Sequence, residues 1–278
     1  MKTIVVHLDA GARCDERIDV AIALAKKHGA HLTGSSATGR ADLVVRVSAT
    51  IPDSIELVQL TSTFLQDRAD AAASRFVQRV VDAGSVSHDV RVSRDVPGSA
   101  LCRLARTADL VVVGQHGTPA AADDGDRDLP QEVLNEAGAP VLIVPREGRF
   151  GAIGNRVLIA WKDTPQASRA VRDALPLLRS ASQVDVVSVV EDAAAKAEMM
   201  ISLDRLGAWL SRNGLQPQLH LEPPDEDAGT SALARAATLG ADMLVMGAWG
   251  HSRFREWVLG GATRHVLART TVPVLMSH

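Results

Sequence analysis

The sequence predicts an α/β protein of two tandem units, each built on a parallel, doubly wound sheet, and three observations carry that prediction. Apolar, β-rich runs alternate with helical patterns along the whole chain. Residues 108–117 read ADLVVVGQHG and residues 241–250 read ADMLVMGAWG. A second pair of motifs, APVLIVP and VPVLMSH, keeps the same distance: Gly114 to Gly247 is 247 − 114 = 133, and Pro140 to Pro273 is 273 − 140 = 133. Two motifs sharing one offset argue for duplication of a whole domain. The repeat is also an internal control. Residues kept in both halves serve the fold, and residues kept in one half mark a function retained there.

In the first half, Thr3–Leu8 is a strand and Asp15–His28 a helix, with Ile18, Ile22 and Ala25 at helical spacing and Gly29 at its stop. His31–Ala37 reads as a strand, Ser62–Ala83 as a long helix ending at Gly84, Ser87–Val92 as a strand and Ser99–Thr107 as a helix. Leu110–Val113 and Val141–Val144 are unbroken apolar runs, the pattern of strands covered on both faces. The second half repeats the order. Its strands are Val157–Trp161, Gln183–Val190, Gln216–Leu221, Met243–Met246 and Val272–Met276, and its helices Gln166–Arg179, Ala193–Asn213, Ser231–Leu239 and Gly261–Arg269. The first strands are offset by 157 − 4 = 153 rather than 133, so the first half carries about 20 extra residues, placed in the irregular 38–60 segment. The expected domains are 1–148 and 154–278. Their final strands, Pro140–Val144 and Pro273–Met276, are apolar edges expected to pack on each other within one chain; dimerisation of whole chains is left open.

Composition bounds the function. With 278 residues, 46% hydrophobic and 23% charged, the chain reads as soluble and globular. A net charge of −3 offers no basic surface to nucleic acid or anionic lipid, and no apolar run reaches membrane-span length. The opening MKTIVVHLD is a poor secretory signal, and two cysteines form neither a disulfide framework nor a metal cluster, so a cytoplasmic location is expected.

The chemistry-bearing segment is Gly247-Ala-Trp-Gly250, nine residues, then Gly260-Gly261-Ala262-Thr263. It leaves the carboxyl end of a buried strand, where open α/β sheets bind ligands, and ends at a helix start, whose free N–H groups favour an anion. Glycines allow the backbone close to a phosphate, or they simply make turns. The first half separates these readings. Gly114 and Gly117 survive there, but Arg127 and Asp128 stand at the positions of Gly260 and Gly261. A carboxylate there repels phosphate. The first glycine pair therefore serves the fold, and the second pair marks a ligand site in the second half. Thr263 adds a hydroxyl, and His251, Arg253 and Arg264 add positive charge nearby.

The Gly-x2-Gly-x9-Gly spacing, the strand openings IVVHLDAG and VLIAWKDT and the Pro-Val-Leu closings resemble the universal stress protein family, over essentially the whole chain as a tandem pair. The resemblance implies two Rossmann-like (adenine nucleotide alpha hydrolase-like) domains, each with a mostly parallel five-stranded sheet flanked by helices. It implies a stress-response module that binds ATP or ADP, with Mg2+ as an accompanying ion, and an unknown protein partner. Met246, Gly247, Gly250, Gly260, Gly261, Ala262 and Thr263 match the family's phosphate and ribose contacts, and Lys162 matches the Asp that usually contacts adenine. Two departures follow. Lysine has donors only and cannot accept from the adenine amino group, whereas the first half keeps Asp9. Gly261 stands where the family has Ser or Thr.

Trp161 and Trp249 flank the site in sequence, as bases for stacking or as core. His7 and His116 lack a third metal ligand. Cys102 reads as a small core residue and Cys14 as an exposed thiol without a base. No catalytic group can be named, so any ATP hydrolysis is expected to be slow. Two other functions stay open: a ligand-free interaction scaffold, and an α/β enzyme acting on another small anion through Lys162 and His251.

Overall fold

The computed structural model describes residues 1–39, 55–115, 129–190, 193–223, 227–249 and 261–278. Contacts divide the chain into a first unit, Met1–Val141 with Arg149–Gly151, and a second, Leu142–Gly148 with Ala152–His278.

In the first half of the chain the elements run β1 (Thr3–Leu8), α1 (Cys14–His28), β2 (His31–Ala37), α2 (Ile55–Ala83), β3 (His88–Ser93), α3 (Pro97–Ala105), β4 (Leu110–Gly114), α4 (Leu129–Glu136) and β5 (Val141–Val144). Strand order is β3-β2-β1-β4-β5. The pairs β1–β2, β1–β4 and β2–β3 are parallel, with Ile4 opposite both Leu32 and Leu110. The order reverses direction between β1 and β4, the kind of position outside whose carboxyl ends open α/β sheets bind ligands. Ile4, Val6, Leu32, Phe76, Leu110, Val111 and Val112 form the core and are essentially without solvent contact.

The second unit repeats this with β6 (Arg156–Ala160), α5 (Pro165–Leu178), β7 (Gln183–Val189), α6 (Ala193–Arg212), β8 (Gln218–Glu222), α7 (Ala228–Leu239), β9 (Met243–Gly247), α8 (Gly261–Arg269) and β10 (Val274–Ser277). Its order is β10-β9-β6-β7-β8, again parallel. The mostly parallel five-stranded α/β architecture expected for each half is therefore present.

Local chemistry explains the element ends. Gly29 stops α1 in the left-handed region, with φ 58°, and the Ala30 N–H returns to the Ala25 carbonyl. Thr164 caps α5 by accepting from the Ala167 N–H, with Pro165 at the first helical position. Asp227 caps α7, accepting from the Gly229 and Thr230 N–H groups at 2.7 and 3.1 Å. That cap starts α7 three residues before the first apolar repeat suggested. Asp227→Ala should lower second-unit stability by about 1–2 kcal/mol, read as an earlier urea midpoint in tryptophan fluorescence.

The sequence reading needs two corrections. Helix α2 begins at Ile55, seven residues before the expected start, because Leu60 and Phe64 are exposed and break the one-face pattern. Helix α4 was not expected at all. Eight residues are too few to establish a period, yet Leu129, Val133 and Leu134 are buried.

Candidate functional site

In the second unit, β6 and β9 are neighbours with Ala160 opposite Met246. Their pairing sets Trp161 and Lys162, just past the end of β6, beside Met246 and Gly247 at the end of β9. Met246 is buried and Lys162 is exposed. Gly247 has a packing role of its own. A Cβ there would lie 2.4 Å from the Ala167 nitrogen and 2.7 Å from the Gln166 carbonyl carbon, so the first turn of α5 sits directly against the end of β9. Gly114, its counterpart in the first unit, is likewise crowded, by the Arg17 guanidinium at 2.6 Å. Conservation of this glycine across the repeat thus has a steric reason in both units.

Helix α8 is tied to the same strand end. The Trp249 N–H donates to Thr263 Oγ1 at 3.2 Å, and Thr263 is buried. Trp249 takes φ 48°, uncommon for a non-glycine residue, and its ring lies 5.4 Å from the His278 ring. The Ala262 carbonyl packs against Gly229 of α7, where a Cβ would stand 2.9 Å away. Gly261 differs from all of these: among the described residues a Cβ there would meet nothing within 4 Å. The first N–H groups of α8 have no partners within the helix, as at any helix start.

The structure therefore gathers Lys162, Met246, Gly247, Trp249, Gly261, Ala262 and Thr263 at one end of the second sheet. Gly250, His251 and Gly260 lie outside the described residues, as do Gly117, His116, Arg127, Asp128 and Arg253. The Trp161 side chain is directed elsewhere. Its indole N–H donates to Ser202 Oγ of α6 at 3.0 Å, and the ring is buried between α5 and α6.

Residues 154–278 match the model of the universal stress protein family. The second half is a universal stress protein domain. A universal stress protein of Synechocystis is 26% identical over 172 residues, 60% of this chain and 57% of that protein, so the match spans little more than half of this curated relative. The structure of a universal stress protein from Archaeoglobus fulgidus covers 99% of this chain and 97% of its own, with TM-score 0.71 and 17% identity. That likeness extends the universal stress protein fold to both halves, as a tandem pair. A universal stress protein from Archaeoglobus fulgidus in complex with dAMP covers 43% of this chain and 94% of its own, at 21% identity and TM-score 0.36.

In the first unit Asp9 follows the end of β1, and its carboxylate is already engaged. Arg17 of α1 reaches back under Gly114, donating from Nη2 to Asp9 Oδ2 and from Nε to the His7 carbonyl, both at 2.7 Å. The Gly11 N–H donates to Asp9 Oδ1 at 2.8 Å. Burial acts to raise the Asp9 pKa. The Arg17 and His7 charges and the hydrogen bonds from Gly11 and Arg17 outweigh it and hold it at about 2. Burial, with the Arg17 charge, depresses His7 to about 4, so the imidazole is neutral at pH 7. Arg17 was not singled out in the sequence, although a signal existed. Counted from Cys14, it falls on the stripe that carries Ile18 and Ala21, and a cation on a buried stripe requires a partner.

Cys14 corrects an expectation. It is fully buried rather than exposed, and burial pushes its thiol pKa up, which leaves it unreactive. Cys102 is buried as expected, its pKa raised to about 11 by burial and the nearby Glu132 and Glu136.

No described helix is long and apolar enough to cross a membrane, and no group of three His, Cys, Asp or Glu among the described residues could hold a metal.

Proposed function

We propose that the second domain binds an adenine nucleotide, ATP or ADP, at the carboxyl ends of β6 and β9, with its phosphates toward the start of α8, and that occupancy regulates a protein surface. One observation carries this reading. Gly247 is required by packing, whereas Gly261 is not, so the glycine at the start of α8 has no steric reason in the described structure. A backbone without a side chain beside unpaired helix N–H groups and the Thr263 hydroxyl suits an anionic phosphate. Mg2+ would arrive with the phosphates, which together with water usually supply most of its ligands. Asp9 is held by Arg17 and Gly11, which supports a single site per chain.

Isothermal titration with ATP should give at most one site, and Gly260→Asp should weaken it by roughly tenfold or more, the loss expected when charge-assisted bonds of about 1.5–3 kcal/mol are replaced by repulsion. Two equal sites, or indifference to that substitution, would overturn the assignment. Lys162 sorts the ligand contacts. If it faces phosphate, Lys162→Ala should weaken ATP more than adenosine. If it merely replaces the adenine acceptor, Lys162→Asp should strengthen ATP binding. A wild type that binds no nucleotide leaves the scaffold reading, which Lys162 at the adenine position favours.

A further inference from the structure

The two units treat one helix pair in opposite ways. In the first, α1 and α2 are bound by ion pairs: Arg79 donates to both Asp19 oxygens at 3.0 and 2.5 Å and lies 3.4 Å from Asp15, and Arg75 lies 3.7 Å from Asp15. The repeat maps these residues onto the second unit. The first strands and helices are offset by 153, so Asp15 and Asp19 become Ser168 and Arg172. The stopping glycines Gly84 and Gly214 are offset by 130, so Arg75 and Arg79 become Arg205 and Trp209. The buried positions match at these offsets: Cys14, Ile18 and Ala21 answer to Ala167, Val171 and Ala174, and Phe76 and Val80 to Leu206 and Leu210.

Both acids of the first unit are therefore absent from the second, and one has become a cation. Neither Arg172 nor Arg205 has a hydrogen-bond or carboxylate partner among the described residues; the neighbouring Asp173 lies instead near Arg169 and bonds Ser277. Between α5 and α6 lies a solvent-open cleft of about 180 Å³, lined by Trp161, Ser168, Val171, Ser202, Leu206 and Trp209, with the exposed Arg172, Arg205 and Asp163 at its rim. Trp161 is held by its bond to Ser202, and Trp209 is half-buried.

We infer that this cleft is a second binding site, for a small aromatic carboxylic acid. Two indoles with Val171 and Leu206 supply a flat, apolar surface for a ring. Two planar guanidinium groups suit a carboxylate, which they can engage through paired N–H donors. The excess of one cation over Asp163 selects an anion. The volume lies below the roughly 300–1,000 Å³ of drug-sized pockets, which limits the ligand to one ring or a fused pair. The site does not depend on the nucleotide reading, since it uses no residue of the glycine loop.

The test titrates phenylacetate, 4-hydroxybenzoate and indole-3-acetate into the full-length protein and follows the tryptophan indole N–H resonances, assigned with Trp161→Phe and Trp209→Phe. At least one acid should shift Trp161 and Trp209 while leaving Trp249 in place. Its neutral amide should bind roughly tenfold weaker or more, because the charged bonds are lost. The paired substitution Ser168→Asp with Arg172→Asp restores the acids of the first unit. It should abolish binding without lowering the melting temperature, since Arg205 regains partners. The inference is overturned if none of the three acids binds, if acid and amide bind equally, if the paired variant binds as well as wild type, or if ATP displaces the acid.

Discussion

Gly247→Ala should destabilise the second unit by about 3 kcal/mol or more, while Gly261→Ala should leave its stability unchanged or slightly raised. A new Cβ at 247 meets the backbone of Gln166 and Ala167 at 2.4–2.9 Å. Those atoms belong to the entrance and first turn of α5, which Thr164 caps, so relief requires moving the helix rather than turning a side chain. Overpacking that side chains can absorb costs about 1–3 kcal/mol, and contact with backbone belongs at or above the top of that range. At 261 a Cβ would meet nothing among the described residues, and alanine favours a helix over glycine by up to about 1 kcal/mol. All four tryptophans lie in the second half, so their fluorescence during urea unfolding reports this unit directly. Equal losses for the two variants, or a tolerated Gly247→Ala, would contradict the division of the loop into a packing glycine and a ligand glycine.

The first unit should weaken sharply in acid, in two windows with one sign. The folded pKa of His7, about 4, lies below its ordinary 6.5. Its stabilisation is therefore present above pH 6.5 and is lost as pH falls from 6.5 through 4, because the unfolded chain takes up a proton that the buried ring resists. The folded pKa of Asp9, about 2, lies below 3.8, so its contribution persists above pH 3.8 and is lost as pH falls from 3.8 through 2. For the buried His7 the shift corresponds to about 3 kcal/mol. Arg17 stays charged throughout and is the partner common to both groups. Hydrogen exchange of β1 and α1 should accelerate between pH 6.5 and 4 after correction for intrinsic rates, and His7→Gln should flatten that window while keeping the lower one. Arg17→Met should weaken the unit even at pH 7, because Asp9 and the His7 carbonyl lose their donor. A flat stability profile from pH 7 to 4 would show that His7 does not carry this linkage.

The elements legible in the sequence were those with a long period or a punctuating residue. Helix α1 was visible because Ile18, Ile22 and Ala25 repeat at helical spacing and Gly29 ends them. The central strands were visible because they are covered on both faces and read as unbroken apolar runs. Helix α4 was hidden by its length, and the start of α2 by exposed Leu60 and Phe64, whose placement owes nothing to a buried face. At the candidate site, the glycine spacing pointed to the end of β9. It could not separate Gly247 from Gly261, because one is required by a helix 80 residues earlier in the chain and the other by nothing among the described residues.

By itself, the sequence determined the duplication and the alternating α/β order and pointed to the strand end proposed as a ligand site, because these depend on local periodicity and on a repeat that can be counted. Tertiary structure alone decided what each side chain meets. It sent Arg17 beneath Gly114 and onto Asp9, turned Trp161 toward Ser202, and buried Cys14. Among the described residues it also left Arg205 without the acid that its counterpart Arg75 faces. These outcomes depend on pairs of residues 8 to 97 positions apart, and only parallel pairing and helix packing bring such pairs together.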